Sequence, residues 1–366
     1  MNIHYISQDV LNEHLSALPF SSPVVILSES GARRWGLYSF LVDRQNAGEI
    51  LWMSHPEPNP TQNALYQARN IMRDYPADGI VAIGGGSVID LAKAISAFHL
   101  MPGIDSADSL AQAIMSKTYL CNSDHALPII AVPTTAGTGS EVTQWATIWN
   151  AGKAAKHSVD APWLKPKQVW IVPRLIATLP TKLMLAAGLD AVCHASEAYW
   201  AKASNPLSRE LSIRALQIMT GNLKTGLANP GDEKTLENLC TGSLMAGLAF
   251  SITRTAACHS ISYPLTGMFG MNHGFAAAIT LEQVALGNQE ALDISELSAV
   301  FSPFGGIQSW IDGVCEGIVL LRLRTFGIDR KDIDKIAASS FTAGRMDNNP
   351  VNFSVQSVKE ILNRVY

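Results

Sequence analysis

Residues 79–100 read GIVAIGGGSVIDLAKAISAFHL, and the fold class can be inferred from this stretch. Its first part, GIVAIGG (79–85), is short and continuously apolar, which predicts a strand buried on both faces. The rest, SVIDLAKAISAFHL (87–100), repeats its apolar residues at helical spacing. A buried strand that passes through glycines into a helix is the unit from which parallel α/β sheets are built.

The same alternation of strand and helix extends on both sides of this stretch. Residues 61–75 have helical spacing, and Thr61 is the predicted N-cap. Further strands are predicted at PVVILSES (23–30), EILWMS (49–54) and ALPIIAVPTT (126–135). Because these runs are apolar throughout, the sequence predicts an N-terminal, Rossmann-like α/β domain whose parallel sheet is covered on both faces.

The pattern changes after about residue 177. From there the segments are rich in Leu, Ala and Met at helical spacing. Helices are predicted over 181–202, 206–228, 233–250 and 274–287. We therefore predict an α/β domain over 1–176 and an all-α domain over 177–366, with the boundary near RLIATLPTK (174–182).

The composition excludes several classes of protein. Of the 366 residues, 47% are hydrophobic and 16% are charged, which is typical of a globular chain with a large core. A net charge of −4 provides no basic surface for nucleic acid or an anionic membrane. No apolar run reaches the ~18 residues that span a bilayer, and the N-terminus lacks a secretory pattern. Five Cys without a CxxC spacing indicate reduced thiols, so we expect a cytoplasmic protein.

The strand-to-helix junction of residues 79–100 predicts a phosphate site. Its residues are Gly84, Gly85, Gly86 and Ser87. Glycine amides approach a ligand closely because they carry no Cβ, and a helix N-terminus favours negative charge. Asp90 and Lys93 follow on the helix, where they pair with each other or Lys93 faces the ligand. The pattern is neither G-x-G-x-x-G nor a P-loop, and the alternative interpretation is a tight turn.

A second loop, PTTAGTGSEVT (133–143), predicts the remainder of a dinucleotide site. Its polar residues include Thr134, Thr135, Thr138 and Ser140. Ligands of parallel α/β sheets bind at the carboxyl ends of the strands, where both loops are expected. Glu29, just past the first predicted apolar run, is suited to bind an adenosine ribose. A carboxylate there would repel the 2′-phosphate of NADP, which favours NAD. Arg33 and Arg34 follow closely, and their positive charges weaken this preference.

One carboxylate and three imidazoles in the second half of the chain predict a metal site. Asp190 and His194 are four residues apart in GLDAVCHASEAYW, so a helix carries them on one face. His259 and His273 follow in CHSISYPLTGMFGMNHGF. An unpaired carboxylate is costly to bury in an apolar helix, and Asp with His suits Fe, Zn, Mn or Co. The alternative is a set of unrelated core histidines.

Four segments of the chain resemble the iron-containing (group III) alcohol dehydrogenases, in the order that this family shows. They are GGGSVIDLAKA, PTTAGTGSEVT, GLDAVCHASEAYW and CHSISYPLTGMFGMNHGF, and the resemblance runs from about residue 20 to the C-terminus. It implies the dehydroquinate synthase-like fold and an enzyme that transfers hydride between NAD(P)(H) and a small alcohol or aldehyde. It also implies a homodimer or a larger homo-oligomer.

The resemblance also assigns residues. The metal, Fe²⁺ or in its place Zn²⁺ or another divalent ion, carries over onto Asp190, His194, His259 and His273. The cofactor, NAD(H) rather than NADP(H), carries over onto Gly84, Gly85, Gly86, Ser87, Thr134 and Thr138, with Glu29 and Lys156 as further positions.

Two positions depart from the family pattern. Many members have a proton-relaying His four residues after the third ligand, where this chain has Tyr263, whose hydroxyl is the candidate replacement. Arg254 stands where a small residue is common, and a guanidinium beside the metal would bind a substrate anion. With both departures, the chain resembles the subgroup of this family that acts in phosphonate metabolism, whose substrate is phosphonoacetaldehyde.

Three alternatives stay open at this point. Glycerol or glycerol-1-phosphate dehydrogenases and dehydroquinate synthases share glycine loops and a metal on the same fold. A metal-dependent hydrolase would use a bound hydroxide, but it leaves two dinucleotide-type loops unexplained. The third alternative is a metal or nucleotide binder without catalytic activity.

Overall fold

A parallel β-sheet lies at the centre of the first of two units into which the chain divides. The computed structural model describes residues 1–55, 58–150 and 156–366. The first unit comprises Met1–Thr135 and Ser140–Thr178, and the second comprises Ala136–Gly139 and Leu179–Tyr366. The sequence suggested a single boundary at 176/177, whereas four residues of the second glycine loop group with the helical unit.

The described strands are β1 (Asn2–Tyr5), β2 (Pro23–Ile26), β3 (Leu51–Met53), β4 (Gly79–Gly84), β5 (Ile129–Pro133), β6 (Trp145–Trp149), β7 (Lys156–Asp160) and β8 (Gln168–Ile171). The main sheet is parallel with the order β1-β8-β5-β4-β2-β3, while β6 and β7 form a separate antiparallel pair. The predicted strands are confirmed as β2, β3, β4 and β5. We did not predict β1 and β8, because each has four residues and begins with a polar side chain.

Helices cover both faces of the sheet, as the apolar strands predicted. They are α1 (Leu11–Ser16), α2 (Glu29–Arg34), α3 (Tyr38–Asn46), α4 (Gln62–Ile71), α5 (Gly86–Phe98), α6 (Ala107–Met115) and α7 (Pro173–Ile176). Thr61 caps α4, since its hydroxyl accepts a hydrogen bond from Ala64 N. In β4, Ile80 and Ala82 belong to one apolar cluster and Val81 and Ile83 to the other. A strand between two covered faces is therefore apolar at successive positions.

Lys93 of α5 fixes the end of the second glycine loop and the start of β6. Its buried ammonium group donates to Ser140 O (2.5 Å), Ser140 Oγ (3.0 Å), Thr143 Oγ1 (3.0 Å) and Trp145 O (2.9 Å). Burial lowers the pKa of Lys93 to about 8, while the carboxylates of Asp90 and Glu141 oppose that shift. The sequence left open whether Lys93 faces a ligand, and in the structure its donors are directed to the protein.

Asp90 belongs to the same network. One carboxylate oxygen accepts from Ser140 Oγ at 2.6 Å, and the other accepts from Thr147 N at 2.8 Å. Asp90 and Lys93, one turn apart, thus meet at Ser140 and connect α5 to both the loop and β6. Buried polar groups with several partners rigidify the segments that they join.

The second unit is helical, as predicted. Its α-helices are α8 (Thr181–Trp200), α9 (Pro206–Ala228), α10 (Glu233–Thr253), α11 (Ala257–Phe269), α12 (His273–Ala278), α13 (Leu281–Asn288), α14 (Ser295–Phe301), α15 (Ile307–Cys315), α16 (Ile333–Ala338) and α17 (Val355–Arg364). The prediction of one helix over 274–287 was wrong, because α12 and α13 are separate. Between them the buried Thr280 hydroxyl bonds back to Ala277 O (3.4 Å), which competes with helical bonding. In the part of the chain that the structure describes, no helix combines the length and apolarity needed to cross a membrane.

We expect Lys93→Met to destabilise the first unit by about 3–5 kcal/mol, because it leaves buried acceptors and the Asp90 carboxylate without their cation. Urea unfolding followed by circular dichroism measures this loss. The control is Lys167→Met at an exposed position, where we expect a change within about 0.5 kcal/mol. Equal stability of the two variants would show that the Lys93 network does not support the fold.

Candidate metal centre

The helix α8 carries the first two predicted metal ligands in its most buried stretch. All residues from 188 to 200 are buried, including Asp190 and His194, so apolar side chains surround both groups. A helix that is buried all round has no solvated face on which to place a carboxylate. Asp190 must therefore find a charged partner inside the protein.

Three of the four predicted ligands converge. One ligand atom each of Asp190, His259 and His273 lies within 4.8 Å of the other two. Asp190 Oδ1 is 3.4 Å from His259 Nε2 and 3.8 Å from His273 Nε2. Asp190 and His259 are almost completely buried, whereas the His273 side chain is 36% exposed. The cluster is therefore enclosed on one side and accessible at His273.

Two atoms of this cluster fit a bound cation. Within the described residues, Asp190 Oδ1 and His259 Nε2 are buried and face each other at 3.4 Å, but neither has a partner in hydrogen-bond geometry. Buried polar atoms are normally hydrogen-bonded, and such an exception requires an explanation. A divalent ion that accepts both lone pairs supplies one, and Asp with imidazoles is a donor set that Fe²⁺ and Zn²⁺ both take.

His194 lies beside the cluster rather than in it. Its ring is stacked on the Phe250 ring at 4.1 Å between centroids and on the His259 ring at 4.4 Å. His194 Nδ1 is 3.2 Å from Gly137 O, so a proton on Nδ1 leaves the lone pair on Nε2. Its ligand atom is not in the convergent group of three, and its role as a fourth ligand stays a prediction.

The protonation states of the cluster follow from burial and charge. Burial lowers the pKa of His194 to about 4, so this imidazole is neutral at neutral pH. Burial opposes ionisation of Asp190, but the imidazoles of His194, His273 and His259 outweigh it and lower the Asp190 pKa. Burial also disfavours protonated His259, yet Glu197 and Asp190 raise its pKa to about 10. A metal at His259 thus displaces a proton.

Glu197 is a functional candidate that our sequence reasoning missed. It is completely buried on α8, and its Oε2 is 2.5 Å from His259 Nδ1. Its Oε1 accepts a hydrogen bond from His259 N at 3.2 Å, so the carboxylate holds both the ring and the backbone. Carboxylates in this position orient metal-binding imidazoles. The available signal was spacing, since Glu197 follows Asp190 by seven residues and lies on the same helical face.

A glycine allows α12 to approach α8 closely. A Cβ built on Gly274 would be 1.8 Å from Ala186 O and 3.2 Å from Asp190 Cβ. Gly274 follows His273 directly, and Asn272 caps α12 by accepting from Gly274 N at 3.1 Å. The position of His273 next to Asp190 therefore depends on a residue without a side chain.

The predicted cofactor residues of the two glycine loops meet in the first unit. Gly84 ends β4, and Thr134 N donates to Gly84 O at 3.0 Å. A Cβ on Gly85, the N-cap of α5, would be 3.2 Å from Thr135 Cγ2. Thr135 Oγ1 is buried and has no hydrogen-bond partner in the described chain.

Other predicted cofactor residues lie in different surroundings. Ser87 Oγ accepts from Asn59 N at 3.0 Å. Glu29 begins α2 and pairs with Arg33 at 2.6 Å, with both side chains more than half exposed. Asp90 and Ser140 belong to the Lys93 network, Gly86 begins α5, Lys156 begins β7, and Thr138 groups with the helical unit.

The two predicted catalytic residues both lie next to the cluster in sequence or space. The Tyr263 and His273 rings are nearly parallel, at 8°, with 6.1 Å between centroids. Arg254 follows α10 with φ 64° and ψ −179°. This conformation is almost restricted to glycine and costs a side-chain-bearing residue about 1–3 kcal/mol.

Two protein-family descriptions match the chain. "Iron-containing alcohol dehydrogenase" matches residues 5–173, and "Fe-containing alcohol dehydrogenase family, C-terminal" matches residues 184–306. Phosphonoacetaldehyde reductase of Streptomyces viridochromogenes is 31% identical over 329 residues, which cover 84% of this chain and 81% of that protein. Lactaldehyde reductase of Escherichia coli is 27% identical over 352 residues, covering 92% and 90%.

Solved structures share the fold. A sulfoacetaldehyde reductase from Bifidobacterium kashiwanohense in complex with NAD+ superposes with a TM-score of 0.83 at 24% identity, covering all of this chain and 96% of that one. An iron-containing alcohol dehydrogenase from Thermotoga maritima also gives 0.83 at 24% identity, covering 100% and 97%.

We expect Glu197→Gln to weaken metal affinity by about 10–100-fold, because the amide is neutral and has one acceptor oxygen for the two His259 donors, the ring Nδ1–H and the backbone N–H. Competition with a chelator of known affinity measures this loss directly. Glu210→Gln, on an exposed face of α9, is the matched control and should bind as the wild type does. Unchanged affinity in Glu197→Gln would show that the carboxylate does not support the centre.

Gly274→Ala is expected to separate α12 from α8 and to leave the protein with little bound metal, because its Cβ meets backbone atoms that cannot move aside. Elemental analysis after metal loading tests this. Gly221→Ala is the control, since a Cβ there meets nothing within 4 Å and should stabilise α9 by about 0.5–1 kcal/mol. Full metal content in Gly274→Ala would contradict the proposed geometry.

Proposed function

The chain belongs to the iron-containing alcohol dehydrogenase family, and from this premise we propose how its residues carry out the reaction. The enzyme is a metal- and nicotinamide-dependent oxidoreductase that interconverts alcohols and aldehydes. The observation that carries the residue assignment is the convergence of Asp190, His259 and His273, two of which have buried atoms without hydrogen-bond partners.

We propose that Asp190, His194, His259 and His273 hold Fe²⁺, or Zn²⁺ in its place. When bound, the ion supplies Lewis acidity, which polarises a carbonyl oxygen and lowers the pKa of an alcohol. Asp190 contributes the negative charge, and Glu197 keeps His259 oriented. The partly exposed His273 borders the side from which a substrate enters.

The nicotinamide cofactor is proposed to bind at the glycine loops. Gly84, Gly85, Gly86 and Ser87 would receive the diphosphate, and Thr134, Thr135 and Thr138 would contribute backbone and hydroxyl groups. Support comes from the buried Thr135 hydroxyl, which lacks a hydrogen-bond partner in the described chain. Asp90 and Ser140, first assigned to the cofactor, are better interpreted as supports of the loop, since Lys93 and Thr147 use their oxygens.

Two further cofactor assignments stay proposals. Lys156 begins β7 and is retained as a candidate contact. Glu29 at the start of α2 is retained as the ribose-binding carboxylate, which favours NAD(H) over NADP(H). Its pair with Arg33 is exposed on both sides, so solvent screens it and the carboxylate is able to exchange partners at little cost.

The substrate is proposed to be a small aldehyde that carries an anion, with phosphonoacetaldehyde as the first candidate. Support comes from the relative that reduces this compound, which is 31% identical over most of both chains. Arg254 would bind the anionic group, and Tyr263, stacked beside His273, would hold the proton that the usual histidine relays. The place of the reaction would then be phosphonate metabolism.

We further propose a cytoplasmic homodimer or larger homo-oligomer with a functional division of the chain. The cofactor would bind the domain over 1–176, and the metal and substrate would bind the domain over 177–366. The five thiols are free in the structure, as expected of a reducing compartment.

The proposed activity is tested by following NADH absorbance with an aldehyde panel, using protein stripped of metal and protein reloaded with Fe²⁺ or Zn²⁺. We expect oxidation of NADH by the reloaded protein and only the background rate after stripping, because the aldehyde carbonyl is then not polarised. Among aldehydes of similar size, phosphonoacetaldehyde should give the highest kcat/KM. Equal rates before and after metal removal would contradict the metal assignment, and a preference for neutral aldehydes would contradict the substrate.

A further inference from the structure

The turn between α10 and α11 holds Arg254 in a backbone conformation that normally requires glycine. Its φ of 64° and ψ of −179° lie in a region that a Cβ makes costly. Such a conformation persists only where the surroundings determine it, and it occurs mainly at functional sites. Residues around the turn must therefore hold Arg254 in this conformation.

Asn348 holds the carbonyl groups on both sides of Arg254. Its Nδ2 donates to Thr253 O at 2.8 Å and to Thr255 O at 3.0 Å, so one amide bridges the strained residue. Thr253 adds a third bond, since its buried hydroxyl donates to Arg254 O at 2.8 Å. Together these bonds fix the orientation of both peptide groups that flank Arg254, and thereby the direction of its Cα–Cβ bond.

Asn348 is itself anchored to the end of α8. Its carbonyl oxygen accepts from Lys202 N at 2.8 Å, and its Oδ1 accepts from Ala203 N at 3.3 Å. Both side-chain donor hydrogens and the side-chain oxygen are therefore engaged. The Asn348 side chain therefore connects the segment after α8, the helix of Asp190, to the turn that contains Arg254.

The other side of the turn is fixed by the carboxylate that holds His259. Glu197 accepts backbone hydrogen bonds from Ala256 and from His259. The strained residue thus lies two positions before an amide that is bonded to Glu197, and Asn348 fixes the turn from the opposite side. Arg254 and the imidazole of His259 are thus connected through one short segment that hydrogen bonds hold at several points.

We propose that Asn348 is a positioning residue that keeps Arg254 in this strained turn, so that the guanidinium meets the anionic group of the aldehyde substrate. The proposal rests on the anionic substrate argued above. A glycine would occupy the turn without strain, so an arginine at this position costs stability. That cost is explained if the side chain contributes to substrate binding.

Steady-state kinetics with two aldehydes test the role of Asn348. In Asn348→Ala and in Thr253→Val, which loosens the same turn, we expect KM for phosphonoacetaldehyde to rise about tenfold with little change in kcat. KM for propionaldehyde, which carries no charge, should stay within twofold. Asn352→Ala is the matched control, because Asn352 is an exposed residue of the same segment whose Oδ1 accepts a hydrogen bond from Lys202 Nζ at 2.8 Å. Equal changes for both aldehydes, or no change, would overturn the proposal.

Thermal unfolding tests the strain separately from the substrate. Arg254→Gly and Arg254→Ala both remove the guanidinium, but only Gly relieves the backbone. We expect Arg254→Gly to melt about 2 °C above Arg254→Ala when Asn348 is present. In an Asn348→Ala background the turn loses two of the hydrogen bonds that hold it, so it relaxes further and this difference should fall below about 1 °C. If Arg254→Gly and Arg254→Ala melt at the same temperature when Asn348 is present, Asn348 does not hold the turn. The same conclusion follows if their melting temperatures still differ by about 2 °C in the Asn348→Ala background.

The two experiments also separate this inference from the proposed function. If Arg254→Ala leaves KM for phosphonoacetaldehyde unchanged, the anionic substrate is wrong and the role of Asn348 in binding it falls as well. If Arg254→Ala raises that KM selectively and Asn348→Ala does not, the substrate proposal stands and only the positioning role is refuted. Metal content equal to wild type in each variant verifies that the helical unit is folded.

Discussion

A buried chain of polar groups, Glu197–His259–Asp190, connects α8 and α11 in the helical unit. It places two carboxylates and an imidazole among apolar side chains of α8 and α11, where isolated charges would be very costly. Glu197 satisfies one edge of His259, and the other edge faces Asp190 without a hydrogen bond. A cation at the open edge balances these charges, either a proton on His259, whose pKa Glu197 and Asp190 raise, or a metal that replaces that proton.

Several costly features of the second unit accompany this arrangement. The close approach of α12 to α8 at Gly274 excludes any side chain there, but it brings His273 to Asp190. The strained backbone of Arg254 and the unsatisfied atoms of Asp190 and His259 each reduce stability, and Arg254 precedes His259 by five residues in the chain. In the first unit, by contrast, the Lys93 network stabilises the fold, because the ammonium group donates to oxygen atoms only. These bonds fix the end of the second glycine loop.

Much of this arrangement was predictable from the sequence, for identifiable physical reasons. Continuous apolar runs such as 79–85 predict a sheet covered on both faces. The four-residue spacing of Asp190 and His194 predicts a pair of metal ligands on one face of a helix. The partners of Lys93 could not be predicted, since its contacts lie about 50 residues away in the chain. Glu197 and Asn348 were missed because a carboxylate or an amide gains its role from the atoms opposite it, which only the packing of helices determines. The split of α12 from α13 depends in the same way on the burial of Thr280.

We propose that Asp190, His194, His259 and His273 bind one divalent metal. X-ray absorption spectroscopy of the iron-loaded protein tests it most directly, because it reports the ligand atoms of the metal itself. With these four ligands we expect a first shell of nitrogen and oxygen at about 2.0–2.2 Å, with the multiple-scattering signature of three imidazoles. In His194→Ala that signature should fall to two imidazoles. Sulfur in the first shell, a shell of water alone, or an imidazole count that His194→Ala leaves unchanged would contradict the ligand set.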